Sequence, residues 1–413
     1  MKSHAPVIEL NVASVRKAFP VLDQTVNGHP LVYFDNAATT QKPTAVIQAL
    51  VSYYSGYNAN IHRGVHALAE KATRAFEDTR EAARQFLNAP EKEEIIFVRG
   101  VTDAINLVAA SYGKSTLRNG DEIILSALEH HSNIVPWQLA AEATGASIRV
   151  IPVGDSGELD MTAYEDILGP RTRIVAVNHA SNSLGTVNPI ASIIKKAHAV
   201  GAKVLIDGAQ AAAHLDIDVQ KLDCDFYCIS GHKMYGPTGA GVLYGKRELL
   251  ENMPPYQGGG EMIKEVAFEK TTFNDLPYKF EAGTPNIADV VALKAAFAFI
   301  NSLGKENIRT HENDLLEYAD EKLLTVKGVR LVGTAANKVS VQSFLVDGMH
   351  HFDVGQLLDA RGIAVRTGHH CTQPLMDRYG IEGTVRASFA VYNTRAEIDQ
   401  MVEAINRVSS LRR

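Results

Sequence analysis

The sequence predicts an α/β protein with a large domain built on a mostly parallel sheet and a smaller α+β domain. Between residues 93 and 245, short apolar runs alternate with helix-like segments, which is the pattern of parallel strands connected by helices. After residue 288, long helices and a few strands replace this alternation. The 413 residues also exceed the roughly 250–300 over which a single hydrophobic core grows, so two domains are expected.

The first region supplies the predicted strands of the large sheet. The runs are rich in β-branched and other apolar residues, as in strands that are buried on both faces. They are 94–98, 122–125, 147–151, 174–177, 203–206 and 226–229. Helices are predicted at 102–111, with Thr102 and Asp103 as caps, and at 190–200, between Pro189 and Gly201. Open sheets of this kind bind ligands at the carboxyl ends of their strands.

The predicted domain boundary follows a stretch that lacks this alternation. A Gly-rich segment at 257–261 begins that stretch, and an Ala-rich helix at 288–302 follows it. We therefore predict a large domain of residues 31–287 and a small domain of residues 1–30 and 288–413. The elements predicted in the small domain are helix 308–325, strands 329–332 and 339–344, helix 354–361 and helix 396–408.

Composition and charge exclude several classes of protein. A net charge of −6 leaves no basic stripe for a phosphate backbone, so nucleic acid is not an expected partner. The N-terminus lacks a continuous apolar run, and no stretch approaches the roughly 18 apolar residues of a membrane span. Three cysteines are too few, and odd in number, for a disulfide framework. We expect a cytoplasmic protein with reduced thiols, in which Cys224 and Cys228 are buried.

A lysine and an acid follow two of the predicted strands. Asp207 directly follows the apolar strand 203–206, where a carboxylate is costly unless it meets a cation. Lys233 lies in the Ser-Gly-His-Lys run at 230–233, after strand 226–229. A lysine that forms a Schiff base, with an acid beside a protonated pyridine nitrogen, is the pairing used in pyridoxal 5′-phosphate (PLP) chemistry. An Asp–Arg ion pair or a cap, and a solvated lysine, are the alternatives.

Three neighbouring segments would complete such a site. The Gly-Val-Thr run at 100–102 precedes a predicted helix, whose N–H groups and dipole favour a phosphate, although Thr102 is also an ordinary N-cap residue. Ser230 and His232 would add donors to the phosphate. His130, in the run 129–133, offers an imidazole that can stack on an aromatic cofactor.

Metal and nucleotide sites are not expected. The His pairs at 130–131, 350–351 and 369–370 have no third ligand at a recognisable spacing. A Walker A loop ending at 113–115 would need Gly at Val108. A dinucleotide motif beginning at 239–241 would need Gly at Tyr244.

Cys371 and Arg386 are candidates for chemistry in the second domain. Cys371 ends the run Arg-Thr-Gly-His-His-Cys at 366–371, in which the histidines and Arg366 would favour the nucleophilic thiolate. A buried, inert cysteine is the alternative. Arg386 would bind a carboxylate through two parallel N–H bonds, and a surface arginine is its alternative.

Together these segments resemble the group II cysteine desulfurases of the Suf iron–sulfur assembly system. These belong to the class V aminotransferase group of fold-type I PLP-dependent transferases. The resemblance spans nearly the whole chain and rests on motifs at 33–43, 60–64, 129–137, 230–241, 280–286 and 366–375. It implies that PLP is the cofactor and that L-cysteine is converted to L-alanine, with its sulfur held as a persulfide. It also implies a homodimer and a sulfur-acceptor protein of the Suf type.

The resemblance assigns a role to each candidate residue. Those implied to hold the cofactor ring are Lys233 as the Schiff-base lysine, Asp207 at the ring nitrogen, His130 stacked on the ring and Gln210 at the ring hydroxyl. Those implied to hold the phosphate are Thr102, Ser230, His232 and, from the other subunit, Thr284. Those implied to bind the substrate are Arg386, Asn182 and Arg366. Cys371, Lys233 and His130 are the implied catalytic residues, and Cys371 accepts the sulfur.

Some features leave alternatives open. Thr372 stands where alanine is usual in the family, and the short connection from Cys371 to 374–376 resembles group II rather than group I. A selenocysteine lyase shares the fold and cofactor and is the nearest alternative. Another class V activity, such as that of a kynureninase or an aminotransferase, or a catalytically silent assembly scaffold is a more distant one.

Overall fold

The computed structural model describes residues 10–410. Residues 1–9 and 411–413 lie outside this part, and with them most of the N-terminal segment in which the sequence shows no continuous apolar run. The strands are, in chain order, β1 (Thr25–Val26), β2 (His29–Pro30), β3 (Val32–Tyr33), β4 (Ile95–Val98), β5 (Glu122–Ser126), β6 (Ser147–Ile151), β7 (Thr172–Asn178), β8 (Lys203–Asp207), β9 (Phe226–Ser230), β10 (Gly241–Gly245), β11 (Ile263–Val266), β12 (Thr271–Phe273), β13 (Val329–Val332), β14 (Val341–Val346), β15 (Ile363–Ala364), β16 (Arg366–Gly368) and β17 (Thr384–Ser388).

The helices surround these strands. In chain order they are α1 (Val12–Arg16), α2 (Thr44–Gly56), α3 (Ala67–Leu87), α4 (Val101–Val108), α5 (Lys114–Thr116), α6 (Val135–Thr144), α7 (Met161–Ile167), α8 (Ile190–Ala199), α9 (Ala211–His214), α10 (Val219–Leu222), α11 (Arg247–Asn252), α12 (Ile287–Leu303), α13 (Lys305–Leu324), α14 (His351–Asp359), α15 (Gln373–Tyr379) and α16 (Arg395–Ser410).

The large sheet is mostly parallel, as predicted. Its strand order is β4-β10-β9-β8-β7-β5-β6, and only the two pairings of β10 are antiparallel. The register aligns the carboxyl ends of the central strands, because Asn178 lies opposite Asp207 and Asp207 lies opposite Cys228. Polar residues at the ends of these buried strands therefore share one edge of the sheet.

A second, antiparallel sheet carries the C-terminal site residues. Its order is β13-β14-β17-β16, and Arg366 lies directly opposite Arg386. The N-terminal segment contacts this region, because β3 pairs with β15 and Arg16 donates to Glu397 at 2.7 Å. The limits of the two domains remain a prediction.

Several elements differ from the prediction. β10 begins and ends in glycine and follows a turn-rich run, so it lacks the strand signals that marked its neighbours, and the hairpin β11–β12 lies in the stretch that we left unassigned. We did not predict α2 and α3, which both pack on α12. The predicted capping role of Thr102 is wrong: Gly100 is the N-cap of α4, and Thr102 lies inside its first turn.

The helix α12 packs in the core, where Val290, Leu293 and Phe297 are buried. Among the residues described, no single helix is both long enough and apolar enough to cross a membrane. The bent pair α12 and α13, with 76° between its halves, passes that test on length and composition only.

Candidate active site

A cleft of about 320 Å³ lies at the carboxyl edge of the large sheet. The residues that line it are Ala37, Ala38, Val101, Thr102, His130, Ser132, Asn178, Ala180, Asn182, Asp207, Ala209, Gln210, Ser230, His232, Lys233, Arg366, His370, Cys371 and Arg386. The structure therefore brings together all the residues assigned to one subunit by the resemblance. Thr284, which the resemblance assigns to the cofactor of the other subunit, lines a separate pocket with Gly239 and Tyr256.

Asp207 is a buried carboxylate at the end of β8. Its side chain accepts the N–H of Ala209 at 2.9 Å, and only 5% of the residue is exposed. Burial raises the pKa of this carboxyl, whereas the Ala209 N–H and the charge of Lys233 oppose that rise. The carboxylate thus faces a cleft in which a positive charge would stabilise it.

Lys233 follows β9 in the short turn Gly231–Lys233. Burial lowers the pKa of its ammonium group to about 8, with Asp207 acting in the opposite direction. A lysine with this pKa has a substantial neutral fraction near pH 8, and a neutral amine is the form that attacks carbonyls and accepts protons.

His130 presents a neutral imidazole to the cleft. Its Nδ1 accepts the backbone N–H of Ser132 at 3.1 Å, which leaves the ring proton on Nε2. Burial, together with the charges of Lys233 and nearby groups, lowers the pKa of this imidazole to about 3. The ring is therefore uncharged across the physiological pH range.

The buried Glu129 fixes the segment that carries His130, and sequence reasoning missed this role. Its carboxylate accepts a hydrogen bond from Asn133 at 2.7 Å and one from the backbone N–H of Asn178 at 3.0 Å, and it also contacts the Ser126 hydroxyl. These contacts tie the end of β5 to the end of β7. A charged residue beside His130 was visible in the sequence, but its burial was not.

The start of α4 forms one end of the cleft. The Ser230 hydroxyl accepts the N–H of Val101 at 2.8 Å, so β9 and α4 are joined at this point. Gly100 has a φ of 153°, and a Cβ there would approach the Ser230 oxygen to 3.1 Å. His232 lies on the same side, and burial lowers the pKa of its imidazole to about 4.

Cys371 is an exposed residue in the turn between β16 and α15, whose neighbours His370 and Thr372 are buried. His370 and Cys371 both have left-handed backbone conformations, with φ of 52° and 58°, each of which costs about 1–2 kcal/mol for a non-glycine residue. The backbone of His131 donates to the Cys371 carbonyl at 2.8 Å, and Asn182 donates to the His370 carbonyl at 2.7 Å. Contacts from the large sheet thus hold the strained turn over the cleft.

Two arginines from the small sheet reach the same cleft. Arg386 is 2% exposed and donates to the Asn182 carbonyl at 2.9 Å and to Asp35 at 3.1 Å. Its Nε is buried without a hydrogen-bond partner, and burial lowers the pKa of this guanidinium to about 10. Arg366 forms a two-pronged ion pair with Asp35. Asp35 lies within the motif at 33–43, but the sequence offered no sign of its partners, because 351 residues separate it from Arg386.

Gln210 and the three cysteines lie either beside the cleft or in the core. Gln210 donates to the carbonyl of Ala37 at 2.7 Å beside the cleft. Cys224 and Cys228 are buried free thiols, as predicted, whereas Cys371 is an exposed free thiol. The alternative of a buried, inert Cys371 is wrong.

Comparison with known proteins places this geometry in a family. Residues 32–401 match the model of the class V aminotransferases. The chain is 51% identical to a cysteine desulfurase from Dickeya dadantii, and the match covers 98% of each protein. The crystal structure of the cysteine desulfurase CsdA from Escherichia coli superposes with a TM-score of 0.91 at 42% identity, over 98% of this chain and 100% of CsdA.

Other relatives differ in length or in the ligand that they hold. The chain is 51 to 52% identical to relatives from Mycolicibacterium paratuberculosis, Mycobacterium leprae and Synechococcus elongatus, and these matches cover 97 to 98% of its own residues. It spans only 58 to 66% of the length of these relatives. A mutant of the protein C-DES, with glycine covalently linked to its PLP cofactor, has a TM-score of 0.81 at 25% identity, over 95% of this chain and 98% of C-DES.

Proposed function

The chain belongs to the cysteine desulfurases of the class V aminotransferase family, whose cofactor is PLP, and on that premise we propose that it takes the sulfur of L-cysteine as a persulfide on Cys371 and releases L-alanine. The observation that carries the proposal is that Cys371 and Lys233 line one cleft. A thiol that receives sulfur must reach the same substrate as the lysine.

The residues of the cleft fit PLP chemically. Asp207 is a buried carboxylate that faces the cleft with one N–H partner, and it would hold the ring nitrogen. The neutral ring of His130 would stack on the cofactor, and Gln210 would bind its hydroxyl. Lys233 would link to the aldehyde.

The phosphate would be held where β9 meets α4. Thr102, Ser230 and His232 line both the main cleft and the pocket beside it. The N–H groups at the start of α4 favour an anion there.

Lys233 is the group that would move a proton. When bound, PLP supplies a conjugated ring that withdraws electrons from the substrate Cα. The Nζ of Lys233, whose pKa is lowered to about 8, would accept the proton of that carbon and later return one to the product. The buried Asp207 stabilises positive charge in the same cleft.

Cys371 would carry out the sulfur transfer. Its Sγ, as a thiolate, attacks the substrate sulfur, the new S–S bond forms, and the electrons of the broken C–S bond remain with the three-carbon product. That product takes up a proton and leaves as L-alanine. No external oxidant is needed, because the two electrons that the sulfurs give up in forming the S–S bond stay with the three-carbon product, whose C–S bond is replaced by a C–H bond.

Arg386 and Asn182 would hold the substrate carboxylate. The buried Nε–H of Arg386 has no protein partner, and an unpaired buried donor costs about 1–3 kcal/mol. A carboxylate would satisfy such a donor through a charge-assisted bond. Arg366 lines the same cleft as Arg386 and would add positive charge near the substrate carboxylate.

The active unit would be a homodimer. Thr284 is exposed and lies outside the cleft of its own chain, so the contact with a phosphate that the resemblance implies would require a second copy. The helix α2 carries exposed apolar side chains, among them Val51, which is 51% exposed, and Tyr54, which is 65% exposed. A second chain would cover such a surface.

The chain would act in the cytoplasm as the group II type and deliver sulfur to an acceptor of the Suf system, for iron–sulfur cluster assembly. The support is the short segment after Cys371, because α15 begins two residues later at Gln373. A thiol on a short, hydrogen-bonded turn has little reach, so an acceptor protein would have to approach it.

The decisive test follows the sulfur on the purified, PLP-loaded protein. L-cysteine should yield L-alanine together with a persulfide that mass spectrometry maps to Cys371. Cys371→Ala should give neither product, whereas Cys224→Ala, which removes a buried thiol, should give both. Release of L-alanine from L-cysteine by Cys371→Ala at the wild-type rate would refute the persulfide route.

L-Selenocysteine separates the nearest alternative activity. Selenide is a better leaving group than sulfide, so Cys371→Ala should retain substantial release of L-alanine from L-selenocysteine. A wild-type protein that turns over L-selenocysteine but not L-cysteine would be a selenocysteine lyase. If the wild-type protein turned over neither substrate, the result would support the alternative of a catalytically silent assembly scaffold.

A further inference from the structure

His131, in the segment that follows β5, makes two hydrogen bonds to the turn that carries the thiol. Its backbone N–H donates to the Cys371 carbonyl at 2.8 Å, and its ring Nε2 accepts the backbone N–H of Gln373 at 3.2 Å. Cys371 and Gln373 are the two chain neighbours of Thr372. The backbone on both sides of Thr372 is therefore tied to one residue of the large sheet's edge.

The ring of His131 acts where α15 lacks a cap of its own. The first N–H groups of a helix have no partner within the helix, and Gln373 is the first residue of α15. Thr372, at the N-cap, makes no side-chain capping bond, since its hydroxyl donates to the His369 carbonyl at 2.9 Å. His131 thus supplies an acceptor that the N-cap residue does not.

The bond to Gln373 defines the state of the His131 ring. Because Nε2 accepts a hydrogen bond, the proton of the neutral imidazole is on Nδ1. A protonated ring would have no acceptor. Burial and the neighbouring His369 lower the pKa of the His131 imidazole, which favours the neutral ring that this contact requires.

The turn needs contacts of this kind because its backbone is strained. His370 and Cys371 have φ of 52° and 58°, and such residues persist only where the surrounding structure holds them. The direction of a side chain depends on the backbone dihedrals of its residue. Relaxation of the turn would therefore move Cys371 Sγ away from its place in the cleft.

We propose that the side chain of His131 is a positioning residue for sulfur transfer, which holds Cys371 Sγ toward the substrate through the N–H of Gln373. The proposal rests on the proposed function, in which Cys371 receives the sulfur. The ring acts on the backbone of the turn rather than on the substrate.

This role predicts which step depends on His131. Proton transfer at the substrate Cα uses Lys233, which is positioned by β9 and the turn after it. Sulfur transfer uses Cys371. Loss of the His131 ring should therefore slow sulfur transfer and leave proton transfer unchanged. A purely structural role would change both steps together or only the thermal stability.

The experiment compares two rates on the PLP-loaded protein. Exchange of the Cα hydrogen of L-alanine in D₂O, followed by NMR, measures proton transfer and needs no thiol. Release of L-alanine from L-cysteine measures the full reaction. In His131→Phe, which keeps a ring and removes the acceptor, we expect release to fall about three- to tenfold, the effect of one net hydrogen bond. Exchange should keep its wild-type rate.

Two further variants test the acceptor itself. The side-chain oxygen of glutamine lies as many bonds from Cβ as Nε2 of histidine, so His131→Gln should release L-alanine at close to the wild-type rate. The oxygen of asparagine corresponds to Nδ1, so His131→Asn should behave as His131→Phe does. If His131→Phe does not fold, His131→Asn carries the same comparison.

Three results would overturn the proposal: unchanged release in His131→Phe, an equal fall in release and exchange, or a loss in His131→Gln as large as that in His131→Phe. A wild-type protein that exchanges the Cα hydrogen of L-alanine but releases no L-alanine from L-cysteine would instead contradict the proposed function. The two failures are therefore distinguishable.

Discussion

The two halves of the cleft are built in different ways. On the cofactor side, Asp207 and Lys233 come from the ends of buried central strands, where parallel pairing fixes their positions. On the thiol side, Cys371 is exposed in a turn with two successive left-handed residues. One half is positioned by sheet packing, and the other by a few hydrogen bonds to a strained turn.

This difference corresponds to what each half has to do. A proton-transfer group works best when it is held still and partly desolvated, because both conditions tune its pKa. A thiol that passes sulfur onward must remain open to another molecule. We therefore expect changes on the cofactor side to affect every substrate, and changes on the thiol side to affect only the step that needs a thiol.

The largest expected effect comes from Lys233→Ala, on the cofactor side. The variant should lose the visible absorption of the lysine-bound cofactor. Its rate of L-alanine release from both L-cysteine and L-selenocysteine should fall by about 10²–10⁴-fold or more. Absorption spectra and alanine assays measure this. Cys371→Ala is the matched variant from the thiol side, and it should keep the absorption band. A Lys233→Ala protein with wild-type turnover would remove the basis of the comparison.

Asp207→Asn should have the next largest effect. An amide cannot hold the positive charge that a carboxylate stabilises, so turnover of both substrates should fall by about 10²–10³-fold, as for the loss of one preorganised electrostatic contact. Circular dichroism should show the fold intact. If turnover stays near the wild-type rate, Asp207 is structural, and the ion-pair or cap alternative returns.

Arg386→Lys tests the proposed binding of the substrate carboxylate in the cleft. A lysine offers a point charge where arginine offers a planar fork, so the KM for L-cysteine should rise about tenfold, the equivalent of about 1.4 kcal/mol, with a smaller change in kcat. Steady-state kinetics measure this split. A change confined to thermal stability would reassign Arg386 to its ion pair with Asp35.

The smallest effect on turnover is expected at His179, which is 8% exposed and whose backbone N–H donates to the carbonyl of Asp207 at 2.8 Å. Burial lowers the pKa of its imidazole to about 4, below the ordinary value near 6.5, so the folded protein binds fewer protons than the unfolded chain between these values. The free energy of unfolding should therefore fall as the pH drops from 6.5 toward 4, by up to about 1.4 kcal/mol per pH unit from this group.

His179→Asn tests that expectation. The variant removes the titrating group and should show a flatter dependence of Tm on pH in the same window, as measured by thermal melts. His130 and His232 keep their own contributions, because the pKa of each is also lowered. Equal pH slopes in the two proteins would contradict the role of His179.

The cofactor side was readable from the sequence because its signals are local. An acid directly after an apolar strand and a lysine in the turn after another strand are unusual placements, and buried parallel strands stand out in the sequence as short apolar runs. The same reasoning missed β10, since a short strand between glycines looks like part of a turn. It also assigned the start of α4 to Thr102, because residue type alone does not distinguish a capping threonine from one in the first helical turn.

The sequence by itself determined the chemical types that the site contains: an acid, a lysine, an imidazole and a thiol at strand ends and turns. Only the tertiary structure decided which charges meet. Asp35 lies 331 residues from Arg366 and 351 from Arg386, and ion pairing at such separation leaves no periodicity or spacing in the chain. The left-handed conformation of Cys371 was likewise hidden, because the contacts that hold its turn come from His131 and Asn182, in the segments that follow β5 and β7 of the large sheet.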